Sequence, residues 1–224
     1  DAGEAAMAVI GQPMLDAGGT GVSSTRLSGP AGIGFVGGTL NRLYVADQRN
    51  NRVVGYNVAA VQDAGSASLL FGHPDRDGGP VWESNCANGP TDFSVTRGWA
   101  IAVDGTGNRL FASDILIAGD DDSTGRIVAF PLTTQGLPAS YAATGVLGQS
   151  DSWSCSAQAF SAPTANSLTF PTGIVFDDVR NRLFAADMLG GRVVVYDFAQ
   201  GGLTNGMAAT AVLGRATMDA GNEP

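Results

Sequence analysis

Few residues in this chain could do chemistry, and they are unevenly spread. Gly119-Asp-Asp-Asp-Ser-Thr-Gly125 gathers three carboxylates, Asp120, Asp121 and Asp122. Hard oxygen ligands of this kind suit Ca2+, the only cofactor in view. The spacing is not the Asp-x-Asp-x-Asp-Gly loop of an EF-hand, and no distal bidentate Glu follows. A solvated acidic loop is therefore the favoured reading, and a metal centre the alternative. His73 is the only histidine. A His-based zinc site lacks its ligands, and any Ser-His-Asp triad would have to use this one residue. No residue is assigned a catalytic role. Cys86 and Cys155 allow one disulfide or two separate thiols, and spacing alone does not decide between them.

Asp47, Asp114 and Asp187 are each followed at short range by an arginine, Arg52, Arg126 and Arg192. They could form a set of charged ligand sites. A turn must recur in every unit of a repeat, whereas a ligand site rarely does, so they read as structural Asp–Arg pairs. The candidate binding residues are Arg97, Trp99, Trp82 and Trp153. Tryptophan beside arginine is the composition of an interaction hot spot. The competing reading packs each ring onto a sheet edge beneath a long loop.

A repeat must position these residues. Pro30-Ala-Gly-Ile-Gly-Phe35 is followed by Asn41-Arg-Leu-Tyr-Val-Ala-Asp47 and Asn51-Arg-Val-Val-Gly-Tyr56. The same series recurs as Trp99-Ala-Ile-Ala-Val-Asp104, Asn108-Arg-Leu-Phe-Ala-Ser-Asp114 and Gly125-Arg-Ile-Val-Ala-Phe130. It recurs again as Pro171-Thr-Gly-Ile-Val-Phe-Asp177, Asn181-Arg-Leu-Phe-Ala-Ala-Asp187 and Gly191-Arg-Val-Val-Val-Tyr196. The Asn-Arg-Leu triplets start at 41, 108 and 181. A fourth run accompanies each unit: Leu69-Leu-Phe-Gly72, Val146-Leu-Gly148 and Val212-Leu-Gly214, with one more at Ala8-Val-Ile-Gly11. These runs have strand length and are rich in Val, Ile, Leu, Phe and Tyr. Gly, Asn and Asp between them supply the turn chemistry of hairpins.

Four short antiparallel strands per unit, here a to d in chain order, in tandem, predict an all-β chain of β-propeller blades. The expected blades are 30–72, 99–148 and 171–214, in a single segment spanning 1–224. Residues 6–11 form an extra outer strand at the N-terminal end. One blade cannot bury both faces alone, which is why strand b is apolar at nearly every position. The pattern Pro-x-Gly-Ile-x-x-Asp, Asn-Arg-Leu-Tyr-Val-Ala-Asp and Asn-Arg-Val resembles the NHL repeat. The long linkers and the Val-Leu-Gly-Gln run are similar to those of bacterial secreted members with extended repeats. In the second unit Trp99-Ala100 replaces Pro-x-Gly, and an insertion separates Asp114 from Arg126. The resemblance implies a propeller. It leaves activity open, because the family includes RNA binders, protein binders and lyases. The amidating lyases of similar fold depend on several histidines, and this chain has one.

Propellers close with about four to eight blades. Three blades and an orphan strand therefore call for further blades of a longer chain, or for other copies of this one. The formal net charge is −9 and all the basic residues are arginine, a balance that disfavours nucleic-acid binding. No apolar run is long enough to span a membrane. The first residue is Asp1, so an upstream segment was removed or lies outside this sequence; if it was a signal peptide, the expected context is extracellular, periplasmic or at the cell surface. The expected function is a non-enzymatic scaffold or binding protein, with a protein or glycan as ligand. The alternatives are half of a propeller enzyme, a lyase or lactonase-like hydrolase, or a carbohydrate-binding propeller.

Overall fold

Asparagines set the hairpins. Asn41, Asn108 and Asn181 have φ of 43°, 51° and 54°, left-handed values that asparagine tolerates better than most residues. Each closes the turn from strand a to strand b. Each also accepts, through its carbonyl, an N–H from just beyond strand c: Val58 at 2.8 Å, Leu132 at 2.6 Å and Phe198 at 3.0 Å. The recurring Asn is thus a backbone requirement. The computed structural model that shows this describes residues 6–14, 18–59, 65–72, 95, 97–106, 108–118, 122–140, 142–149, 163–199 and 201–219.

Blade 1 contains β1 (Pro30–Val36), β2 (Arg42–Asp47), β3 (Arg52–Asn57) and β4 (Leu69–Phe71). Blade 2 contains β5 (Gly98–Asp104), β6 (Arg109–Ala118), β7 (Asp122–Pro131) and β8 (Gly145–Leu147). Blade 3 contains β9 (Pro171–Asp177), β10 (Arg182–Asp187), β11 (Arg192–Asp197) and β12 (Ala211–Leu213). Each is a four-stranded antiparallel meander in sequence order. Among the described residues the one helical element is a 3-10 turn at Gln48–Asn50, and no helix is long and apolar enough to cross a membrane.

The insertion in blade 2 corrects the loop expected there. The β6–β7 ladder runs on past Asp114↔Arg126 to Ala118↔Asp122, so the insertion lengthens the hairpin. Ile115, Leu116 and Ile117 are β-branched or apolar residues that continue the pairing. Asp122 opens a strand; Asp120 and Asp121 lie outside the described residues.

Packing between blades follows strand alternation. Call the side of a blade facing the preceding one its leading face, and the other its trailing face. Tyr44, Ala46, Val53 and Phe71 on the trailing face of blade 1 meet Ile101, Leu110, Ala112 and Val128 on the leading face of blade 2. Phe111, Ala102, Ile127 and Ala129 on the trailing face of blade 2 meet Leu183, Ala185, Val194 and Phe176 of blade 3. Phe111 stacks on Phe176 at 5.6 Å and on Phe198 at 5.8 Å, and the Arg109 guanidinium lies 4.8 Å from the Phe198 centroid. Each such aromatic pair adds about 0.5–1.5 kcal/mol beyond the area it buries. The leading face of blade 1 is covered in part by Ile10, Leu27 and Ala67.

The outer strands end in a repeated joint. Gly11, Gly72 and Gly148 have φ of 84°, 74° and 82°. Their carbonyls accept the N–H groups of Leu27, Val95 and Leu168, at 3.2, 3.3 and 3.1 Å. A Cβ on any of the three would overlap that same Leu or Val side chain. Residues 6–14 therefore hold, relative to blade 1, the place that β8 and Gly148 hold relative to blade 3. Ile10 makes a single parallel bridge there, to Gly65.

Candidate binding surface

Among the described residues, the Asp–Arg pairs, Arg97 and Trp99 fall at one end of the blades, where strand b turns into strand c and each linker enters strand a. Asp47 Oδ2 accepts Arg52 Nε at 2.8 Å, Asp114 Oδ2 accepts Arg126 Nε at 2.9 Å, and Asp187 Oδ2 accepts Arg192 Nε at 3.1 Å. All these side chains are buried. The other carboxylate oxygen holds the linker. Oδ1 accepts Ser28 N–H at 2.6 Å in blade 1, Arg97 N–H at 3.0 Å in blade 2, and Thr169 and Phe170 N–H at 2.9 Å in blade 3. The arginine completes the clasp. Arg52 Nη2 donates to the Ser23 and Arg26 carbonyls, and Arg192 donates to the carbonyls of Ser167 and Met218.

Each pair is therefore a staple that converts an irregular linker into a fixed entry to the next strand a. It satisfies backbone groups that would otherwise be buried without partners. Blade 1 adds Asn50, whose Nδ2 donates to Asp47 Oδ2 at 2.7 Å and to the Gly21 carbonyl at 2.8 Å. Burial pushes the Asp47 carboxyl above its ordinary range, against the opposing pull of the Ser28 N–H, Asn50 and Arg52. Charges bonded so fully inward are not offered to a ligand.

Trp99 is different. It stands on β5 where the register shifts between Gly98 and Ile101, a bulge of the kind that re-aims a side chain. Ile101 packs toward blade 1, but the Trp99 ring lies against Phe170 at the entry to blade 3, with centroids 5.7 Å apart. Trp99 is 38% exposed. The pair is held from below. Phe170 N–H is bonded to Asp187, the Phe170 carbonyl accepts Met188 N–H at 2.9 Å, and Ala100 N–H donates to Ser113 Oγ at 2.9 Å. Gly32 lets strands β1 and β5 come together, since a Cβ there would lie 2.5 Å from the Trp99 carbonyl. Arg97 is exposed two residues before Trp99, its backbone fixed by Asp114. Met188 is also exposed. The result is a rigid apolar platform with a cationic neighbour, suited to a sugar face or an apolar side chain.

Two contributors to this surface were not visible as sequence candidates, Phe170 and Met188. Phe170 sits just before β9, where blade 1 has Gly29, so the repeat gave no signal for an aromatic. Arg109 was also unmarked as more than a repeat position. Its guanidinium pairs with Asp104 and reaches Asn181 Oδ1 in blade 3 at 3.0 Å. His73, Trp82, Cys86, Trp153 and Cys155 lie outside the described residues, as do Asp120 and Asp121.

No protein-family profile matches the chain. No curated protein matches it in sequence. Solved structures do match. A Bacteroides fragilis protein assigned as a 6-phosphogluconolactonase aligns over 79% of this chain and 37% of its own, at 13% identity and a TM-score of 0.50. Kuenenia stuttgartiensis hydrazine synthase aligns over 91% of this chain and 40% of its own, at 13% identity and a TM-score of 0.45. The soluble aldose sugar dehydrogenase of Escherichia coli aligns over 80% and 50%, at 12% identity and a TM-score of 0.42. This chain thus spans half or less of the length of each. Identities this low speak to fold alone. Three four-stranded antiparallel sheets stacked face to face, with the Bacteroides fragilis structure as a fold neighbour, define the chain as a partial β-propeller.

Proposed function

We propose that the chain is a non-enzymatic, extracytoplasmic binding scaffold, built of NHL-like blades and acting through its loop tips, blade edges and blade faces. One observation carries the reading. The repeated charged residues are spent inside the fold as staples, while the exposed feature at that end of the blades is the Trp99–Phe170 platform beside Arg97. Rigid strands that hold a few exposed aromatic and cationic groups are the usual anatomy of a recognition surface. The acidic balance favours protein or glycan over nucleic acid as ligand. A glycan is the more specific choice, because an exposed indole braced by a second ring matches the apolar face of a sugar.

An array of oligosaccharides and peptides, probed with the protein and with its Trp99→Ala variant, tests this. A defined binder is expected, whose signal Trp99→Ala abolishes while the circular dichroism spectrum shows the fold kept. Turnover of a sugar lactone or an aldose by the unmodified protein, with or without Ca2+, would overturn the reading in favour of a propeller enzyme.

A further inference from the structure

Among the described residues, two sheet faces stay open in part, mainly over their inner strands. On the trailing face of blade 3, Val175, Phe184 and Val195 lie in one row across the strands, and Ala186, Val193 and Leu213 in the next. Val175 is 61% exposed and Leu213 53%. On the leading face of blade 1, Ile33 is 68% exposed and Phe35 58%. Apolar patches of this kind mark an interaction site.

The repeat supplies a counterpart for each inside the molecule. Aligned on the Asn-Arg-Leu triplets, Phe184 corresponds to Phe111 and Val175 to Ala102, both buried on the trailing face of blade 2. Matched by strand register, Ile33 opposite Val45 and Phe35 opposite Leu43 correspond to Ile174 opposite Ala185 and Phe176 opposite Leu183, and Ile174 and Phe176 pack on that same trailing face. The two open ends are thus the two halves of the joint already made between blades 2 and 3. We propose that a second copy of this chain fills them, the trailing face of one blade 3 receiving the leading face of the other's blade 1. The described blades of two copies number six, within the range of about four to eight that propellers use. This rests on the scaffold reading above and names the partner of its blade faces.

The internal joint specifies the contacts. Phe35 of the second copy stacks on Phe184 as Phe176 stacks on Phe111. Arg182, bonded to Asp197 at 2.8 Å, reaches Asn41 of the second copy as Arg109 reaches Asn181. The joint has room for one outer strand only. The arriving copy carries residues 9–11, tied by the Gly11 carbonyl to its Leu27. β12 holds its place through three residue pairs with exposed flanks, and Gly214 lacks the close packing that Leu27 and Leu168 give to Gly11 and Gly148. β12 therefore yields its position beside β11 to the arriving strand, a strand exchange at a sheet edge. The contact is heterologous, joining unlike faces, so it can be split by mutation and restored by mixing.

Light scattering of the whole chain over a wide concentration range is the test, with the variants Phe35→Asp and Phe184→Asp. The expected masses are two chains for the unmodified protein, one chain for each variant alone, and two chains for their equimolar mixture. The mixture recovers because Phe35→Asp keeps a sound trailing face and Phe184→Asp a sound leading face. Val175→Arg, at an exposed position, is a second trailing-face variant should Phe184→Asp fail to fold. A single-chain mass for the unmodified protein overturns the proposal, as does a double mass in either variant alone or a mixture that stays at one chain. Any of these leaves the Trp99 platform standing, whereas loss of array binding would sink the scaffold reading without touching the measured mass.

Discussion

Replacing Asp187 with asparagine tests the staples directly. The native carboxylate binds Arg192 Nε at 3.1 Å and two backbone N–H groups at 2.9 Å, and both side chains of the pair are fully buried. The Asp187→Asn side chain keeps one acceptor oxygen but turns an amide donor toward a guanidinium donor. The buried Arg192 charge then has no counter-ion. Removing one partner of a buried pair costs about 3–5 kcal/mol. In a chain of this size each kcal/mol moves the melting midpoint by about 2–4 °C, so the loss is on the order of 10 °C. Thermal and urea unfolding followed by circular dichroism read it out. Asp177→Asn is the control, since its bond to Arg180 at 3.2 Å is at the surface and such pairs contribute little. Adding Arg192→Met to Asp187→Asn removes the stranded charge and should return part of the loss. If Asp187→Asn melted with Asp177→Asn, the pairs would not hold the linkers as described.

Four further outcomes follow from the packing. Tyr44 donates to the Gly136 carbonyl at 2.6 Å across blades 1 and 2, so Tyr44→Phe should cost about 1 kcal/mol in urea unfolding. Tyr196→Phe should cost nothing or stabilise, because the buried Tyr196 hydroxyl has no partner among the described residues and blade 2 carries Phe130 at that position. Burial pushes Tyr44 and Tyr56 up from 10 to about 12. Their contribution is complete below about pH 10 and is lost as the pH rises toward 12, so tyrosinate absorbance should appear together with unfolding. Gly148→Ala combines a φ of 82° with a Cβ 2.6 Å from Leu168, and should lower the urea midpoint more than Gly18→Ala, where the space is open.

The blades were legible because a repeat repeats its backbone needs. Asn-Arg-Leu marks a left-handed turn followed by a buried strand, and the Asp and Arg flanking each b–c turn were recognisable as a pair before their distances were known. Composition separated the apolar strands from the Gly- and Asn-rich turns for the same reason. What could not be read is what one copy of the repeat does differently. The insertion of blade 2 carries Asp and Gly, which suggested a loop, yet Ile115–Ile117 continued the ladder outward. Trp99 stood out by type, but its partner Phe170 comes from another blade and from a linker without repeat character. That contact depends on a bulge and on how two blades stack, and neither leaves a local pattern. The complementarity of the two end faces became visible only when strand alternation assigned Phe35 and Phe184 to opposite sides of the stack.

These blades act, on this account, as a scaffold completed by further blades on both open faces. Hydroxyl-radical footprinting of the native particle, read by mass spectrometry, decides whether those faces are covered. Ile33, Phe35, Val175 and Phe184 should label far more slowly in the native particle than in the urea-unfolded chain, as buried Phe111 should. Native labelling of Phe35 and Val175 at the unfolded chain's rate would show the faces bare and refute the scaffold's completion.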